Sequence, residues 1–215
     1  MKLEAPRVSE LSLVDLEISE PECAWDPAGT DGRRIEGAVL DGLRRQAVSY
    51  RETEFVRASA TGARFPDCRL LDVRFDRLDA PDLAASHSTW RDVEIVGSRL
   101  GTLGLDDSTV NRLRFDRCKV GFLGLQGARV QDMVIEGCVV EELDLSDAVA
   151  SRVAFRDTTI GQLRLRGSRL SHVDLRGARL GLVEPVAGLR GAVVTVEQVL
   201  DLAPDLAAAL GILVD

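Results

Sequence analysis

The sequence predicts an all-β solenoid, a four-sided β-helix of about seven coils with a short C-terminal helical cap. Three observations predict it. In "GTLGLDDSTVNRLRFDRCKVGFLGLQGARV", residues 101 to 130, an aliphatic or aromatic side chain stands at every fifth position: Leu105, Val110, Phe115, Val120, Leu125 and Val130. The phase holds from Ile35 to Leu180, and the residue two before each centre is apolar or small too, as in Leu103/Leu105, Val153/Phe155, Leu163/Leu165 and Val173/Leu175. Finally, residues 20 apart match in size. One column reads Ile35, Phe55, Phe75, Ile95, Phe115, Ile135, Phe155, Leu175, and another Leu83, Leu103, Leu123, Leu143, Leu163, Val183.

No single regular element accommodates this pattern. In an α-helix, positions five apart differ by about 140°, so the apolar set would spread around the whole surface. A plain strand has a side-chain period of two, and five is odd. A chain that runs extended for two or three residues and then turns, every five residues, places the centre and the residue two before it on the inside. Four such sides close a square coil of about 20 residues whose equivalents stack at the inter-strand spacing of about 4.8 Å, giving a rod about 35 Å long. Small columns face each other between the large ones: Ser98, Cys118, Cys138, Thr158, Ala178 on one side and Cys68, Ser88, Ser108, Ala128, Ala148, Ser168 opposite. Alternating large and small sides is what a shaft without voids requires.

Composition agrees with many thin, similar layers. The 215 residues are 45% hydrophobic yet only 4% aromatic, so the core is built from Val, Leu, Ile and Ala. The net charge is −8, no apolar run approaches the about 20 residues that span a bilayer, and "MKLEAPRVSE" lacks an apolar signal core, so a cytoplasmic protein without membrane association is expected. Cys23, Cys68, Cys118 and Cys138 show no CxxC spacing and are expected as reduced thiols.

The uninterrupted register of about 150 residues, with fragments such as "VDLRGARLGLV" and "LDLSDAVA", resembles the pentapeptide-repeat proteins. The resemblance implies a right-handed quadrilateral β-helix. It departs from the family's usual repeat just before the centre, where Asp or Asn is common there but Arg114, Gly124, Ala154 and Arg164 stand here, with Asp144 and Asp174 as exceptions.

The register also shows where the shaft is irregular. Near "LDAPDLAASHSTW", Leu78 sits in a small column, Ala80 and Ala85 in large ones, and Trp90 is oversized, which reads as a locally repacked coil with a bulge at Pro81. Cys118 and Cys138 stack in adjacent coils, but their column offers only a serine and a threonine beside them, so they read as small hydrophobes, with no metal ligand set. Interior Ser98, Ser108 and Thr158 are expected to bond to turn backbone. His87 and His172 fall outward with no nucleophile in phase. The carboxylate pairs Asp106/Asp107 and Glu141/Glu142 fall at turns with no wall to shift their pKa values. No catalytic, cofactor-binding or metal-binding residues are expected.

The ends leave the pattern, dividing the chain into an N-terminal cap strand and acidic loop (1–34), the repeat shaft (35–184) and a C-terminal helical cap (185–215). Leu11/Leu13 and Leu16/Ile18 keep the two-apart, five-spaced motif but out of phase with the multiples of five. "SEPECAWDPAGTDGRR" has two prolines and two glycines and is expected to be a loop leaving the shaft. In it, Trp25 beside Glu20, Glu22, Asp26 and Asp31 is an aromatic anchor in an acidic setting, either a partner contact or a plug for the first coil. At the other end Thr195 and Gln198 form a capping box for a helix that Pro204 splits and Gly211 stops. Val196, Val199, Leu200, Leu202, Ala203, Leu206 and Leu210 share one face, which caps the shaft or, through Val199, Leu202, Leu206 and Leu210, joins two copies.

Two functions compete. One is a non-enzymatic scaffold whose loop and faces bind a protein partner. The other is implied only by the resemblance: some relatives confer quinolone resistance by binding DNA gyrase as mimics of anionic duplex DNA. Residues 33 to 184 hold 24 Lys+Arg and 23 Asp+Glu, so the acidity sits at the ends, with 2 against 8 before the shaft and 1 against 4 after it. A DNA mimic needs anionic groups along its length. Here an acidic band (Asp132, Glu136, Glu141, Glu142, Asp144, Asp147) adjoins a basic one of seven arginines from Arg152 to Arg179. Direct nucleic-acid binding is not expected, and the scaffold is favoured.

Overall fold

The computed structural model describes residues 3–213. The chain winds into a β-solenoid in which every strand pairs in parallel with the strand one coil away. Register is 20 residues along the shaft: Phe115 lies beside Ile95 and Ile135, and Leu123 beside Leu103 and Leu143. An 11-stranded sheet runs from Glu17–Ser19 to Ala192–Val193, and a seven-stranded sheet runs from Ala63–Arg64 to Ala178–Glu184. The stack makes about nine turns rather than the expected seven. The extra layers come from strand Glu17–Ser19 at one end and Ala192–Val193 at the other, where the side-chain pattern has lapsed but main-chain pairing continues.

The predicted columns form the core. Ile35, Phe55, Phe75, Ile95, Phe115, Ile135, Phe155 and Leu175 are all buried, as are Leu103, Leu123, Leu143 and Leu163. Corners explain how five residues turn a right angle. Most carry a left-handed residue two after the centre, with Asp67, Asp72, Asp92, Asp107, Asp132, Asp147 and Asp157 at φ between +44° and +60° and Gly62, Gly97, Gly127, Gly137 and Gly167 at equivalent places. Asp is among the few non-glycine types that enter this region readily, which accounts for its recurrence there.

Interior hydroxyls bond to corner backbone. Ser98 Oγ donates to the Val96 carbonyl and accepts from Leu78 N–H, both at 2.9 Å, while Thr158 Oγ1 donates to Ile135 and Arg156 carbonyls at 3.0 and 2.8 Å. The thiols bond in the same way: Cys118 Sγ donates to the Ile95 carbonyl at 3.2 Å, and Cys138 Sγ lies 3.1 Å from the Glu136 carbonyl and accepts from Cys118 N–H. All four cysteines are free thiols. The Cys138 thiol beside it, together with burial, raises the pKa of Cys118, and burial pushes Cys68 up to about 11. Because the Cys138 column is narrow, Cys138→Leu is expected to cost about 1–3 kcal/mol by overfilling it. Glu141→Leu, exposed on the outside of strand Val139–Asp144, should change stability by no more than about 0.5 kcal/mol. Chemical denaturation of the two variants checks this, and equal costs would refute the inside/outside assignment.

The irregular coil is accommodated inside. Leu78, Ala80, Ala85 and Trp90 are all buried, with the Trp90 ring tilted against Phe75 at 6.4 Å between centroids. Leu78, Ala85, Trp90 and neighbouring rings line an apolar cavity of about 30 Å³, and Trp90 Nε1 has no hydrogen-bond partner among the described residues. Size compensation is therefore incomplete at this coil.

Both ends are sealed. Residues 19–34 do not leave the shaft as a loop. Pro21–Trp25 is a 3-10 helix, Gly29–Asp31 and Arg33–Glu36 are strands pairing with Ser49–Val56, and Ala24 is fully buried with its carbonyl accepting from Tyr50 Oη at 3.0 Å. The unpaired edge of the first coil supplies donors and acceptors that a solvated loop would leave open, so the prolines and glycines shape a cap. At the other end the capping box is present, helix α1 (Val196–Asp201) is followed by α2 (Ala203–Ala209), and Pro204 lies in the first turn of α2. Gln198 also ties α1 to the last coil, because its Nε2 donates to the Leu175 and Ala178 carbonyls, both at 2.7 Å.

The out-of-phase pairs Leu11/Leu13 and Leu16/Ile18 do not continue the shaft's core. Only Glu17–Ser19 pairs, and Ile18 is exposed. Residues 3–16 instead run as an irregular arm outside the shaft, across its coils.

Candidate functional site

Two surfaces stand out once the fold is in place: the N-terminal cap and the face beneath the arm. On the cap, Glu20, Glu22, Trp25, Asp26 and Asp31 are all exposed. Trp25 does not plug the first coil. It is 42% exposed on the outside of the cap, with Nε1 donating to the Val39 carbonyl at 2.8 Å beside the exposed Val39 side chain, while the interior position belongs to Ala24. Asp26 Oδ1 accepts from Ala28 N–H, which fixes the turn that follows the 3-10 helix. The result is an oriented indole among carboxylates. Trp25→Ala should therefore lower the melting temperature by no more than about 2–4 °C, the effect of one exposed hydrogen bond, while abolishing capture of a partner that uses the cap. A larger thermal loss with capture retained would make the residue purely structural.

Along the shaft, the 20-residue register sets charge opposite charge. Glu54 pairs with Arg34 and lies near Arg74, Arg74 pairs with Glu94 at 2.8 Å, Arg112 with Asp92, and Arg152 with Asp132 at 2.6 Å. The acidic and basic bands interlock in the same way, Glu136 with Arg156 at 3.7 Å and Glu142 with Arg164 at 2.9 Å. Like charges in one column would sit about 4.8 Å apart, a repulsion these pairs avoid, although Arg99 stands in register with Lys119 and Arg44 with Arg64. Asp72 and Asp92 are an exception: burial first, and then the neighbouring Asp92 charge, raises the pKa of Asp72.

An open polar groove of about 660 Å³ lies on another side, lined by Gln126, Asp144, Ser146, Asp147, Arg164 and Glu184 among others. Burial would raise the pKa of Asp144, but hydrogen bonds from Ser146 and Gln126 and the Arg164 charge more than offset it, and the net shift is downward. Asp106, which shares Gln126 with it, is raised, chiefly by burial. The expectation that the Asp106/Asp107 turn lacks a wall to shift its acids is thus corrected. Stacked coils supply one. Among the described residues no group of three or more His, Cys, Asp and Glu side chains is placed to hold a metal, and no helix is long and apolar enough to cross a membrane.

Sequence reasoning missed the face under the arm. Glu94, Asp132, Val134 and Ala154 all hold outward positions, yet each is buried. Val134 and Ala154 were the available signal, being apolar at places where the rest of the shaft carries charge.

No family model matches the chain, and no curated protein matches it. Among solved structures, trypsin-treated QnrB1, a plasmid-mediated fluoroquinolone resistance protein, is similar at 15% identity and a TM-score of 0.38, over 85% of this chain and 100% of that one. HetL, a pentapeptide-repeat protein involved in heterocyst differentiation regulation from the cyanobacterium Nostoc sp. strain PCC 7120, is similar at 11% identity and a TM-score of 0.26, over 80% of this chain and 94% of that one. The class is defined by the chain's own geometry. Inward residues in fives, four sides to a coil and a 20-residue parallel register make it a four-sided β-solenoid with a five-residue repeat.

Proposed function

We propose that the protein is a non-enzymatic, cytosolic interaction scaffold, a rigid shaft that presents its N-terminal cap and one long face to a protein partner. The observation that carries this reading is the interlocking of charge across coils. Arg152 on Asp132, Arg156 on Glu136 and Arg164 on Glu142 neutralise the acidic band within the protein. At the N-terminal cap, Glu20, Glu22, Asp26 and Asp31 around Trp25 are exposed acids with no basic side chain paired to them among the described residues. An exposed aromatic ringed by polar groups is the composition of a binding anchor, whereas a paired shaft has little net field to imitate a phosphate backbone. At the C-terminus, Leu202 is buried and Leu206 partly so in capping, which leaves Val199 (43% exposed) and Leu210 (76% exposed), with Val196 and Leu200 beside them, available to a second copy.

The competing reading is modulation of DNA gyrase by imitation of DNA, supported by the net charge of −8 and the acidic ends. Two measurements separate them. Affinity capture from native cytosol with the intact chain as bait should return a reproducible partner that is not a topoisomerase subunit. Purified protein should leave gyrase supercoiling unchanged at micromolar concentration. Inhibition there, or reproducible recovery of a topoisomerase subunit, would replace the scaffold reading with the mimic.

A further inference from the structure

The arm, residues 3–16, crosses the coils of one face and is held there through its main chain. Glu4 N–H donates to His172 Nδ1 at 3.1 Å, Arg7 N–H to Asp132 Oδ1 at 2.9 Å and Leu11 N–H to Glu94 Oε1 at 2.6 Å, while the Leu11 carbonyl accepts from Arg74 Nη2 at 2.5 Å. The two carboxylates are oriented from behind. Arg152 holds both oxygens of Asp132 at 2.6 and 2.7 Å, and Arg74 holds Glu94 Oε2 at 3.0 and 2.8 Å.

Burial across this contact is lopsided. On the shaft side Asp132, Val134, Glu94 and Ala154 are 2%, 3%, 4% and 6% exposed. On the arm side not one residue from 3 to 16 is buried: Pro6, Val8, Leu11 and Leu13 are half-covered and the residues between them exposed. A cleft of about 310 Å³ separates Val8–Ser12 from Asp72, Asp92 and Arg112. A segment with no buried side chain opens locally at low cost, whereas the floor beneath it is built and rigid. Burying acids is costly unless they are fully bonded, and here two are buried to accept peptide N–H groups four residues apart. Such contacts read an extended backbone and are indifferent to most of its side chains.

We propose that this face is a receptor groove for an extended, aliphatic polypeptide segment of a partner protein, and that residues 3–16 occupy it in the free protein as a displaceable internal ligand. The partner segment offers what the arm offers: free N–H groups four apart for Asp132 and Glu94, and small aliphatic side chains at the places of Pro6, Val8, Leu11 and Leu13. Displacement of the arm is the step that couples partner binding to release of the N-terminus. The inference rests on the scaffold reading and gives it a site.

The test uses the full chain and a fluorescent peptide of residues 1–16. The Arg7→Pro/Leu11→Pro variant removes both N–H donors without altering the shaft. It should bind the peptide saturably and at least tenfold more tightly than the unaltered chain does, and adding Asp132→Asn should weaken that binding at least fivefold. No saturable binding, or equal affinity for the variant and the unaltered chain, overturns the proposal. A measurement on the unaltered chain guards against a misfolded variant. Excess peptide carrying Lys2→Gln and Arg7→Gln should accelerate tryptic cleavage of the chain after Arg7, and an unchanged rate at saturating peptide overturns it equally. Failure here while the intact chain still captures a partner would remove the groove and leave the scaffold reading standing.

Discussion

Phe115→Ala is expected to lower stability by about 3–5 kcal/mol, a large share of the about 5–15 kcal/mol that holds a typical domain folded. Phe115 is fully buried mid-shaft, stacked in register between Ile95 and Ile135 with Leu113 beside it. Its neighbours are fixed by main-chain bonds to coils above and below, so the space left by the ring cannot collapse and the cavity cost is added to the lost transfer energy. In a solenoid each coil is stabilised by its two neighbours, and a defect at the centre weakens both interfaces at once. Urea denaturation should show the midpoint falling accordingly. Arg117→Ala, two residues on at an exposed corner, should stay within about 0.5 kcal/mol. Comparable losses in the two variants would contradict the assignment of the column to the core.

Arg152→Ala is expected to cost about 3 kcal/mol at pH 7 and progressively less in acid. Asp132 is nearly enclosed, its side chain 3% exposed, and Arg152 is its bidentate partner. Burial alone would raise the pKa of Asp132, but the Arg152 guanidinium and the Arg7 N–H more than offset it and hold the carboxyl below its ordinary range. In the unaltered chain this contribution is complete above the unfolded carboxylate value of about 3.9 and is lost as pH falls through the lower folded value. Without Arg152 burial dominates and the folded pKa moves above the unfolded one, so protonation becomes stabilising. The gap between the two proteins should therefore narrow between pH 7 and pH 4, and Asp132→Asn in the Arg152→Ala background should recover much of the loss. A gap that is constant or wider at pH 4 would show that Asp132 is not the buried charge the geometry makes it.

Phe115 and Asp132 were not equally legible in the sequence. Phe115 could be placed from its column alone, because a five-residue period confines the centre and the residue two before it to the inside whatever the neighbours are. Trp90 could be placed inside as well, but not its orphaned indole N–H, since that depends on how Ala80 and Ala85 share space with Leu78. In the sequence Asp132 and Arg152 stand only as members of an acidic and a basic band. They are 20 apart, so the register could have paired them. What made Asp132 a buried group was the arm, whose course along the face has no periodic signature.

The sequence by itself therefore determined the repeat, the four-sided coil, the contents of its large and small columns and the Thr195/Gln198 cap. Each follows from steric rules that act within five residues or recur every 20. Only the tertiary structure decided that the stack extends to about nine turns, that residues 19–34 close the first coil with Ala24 inside and Trp25 outside, and that residues 3–16 lie against Glu94 and Asp132. Those outcomes depend on main-chain groups at an open sheet edge and on carboxylates brought together by stacking. Main-chain donors are the same at every residue but proline, and leave no pattern of side chains to read.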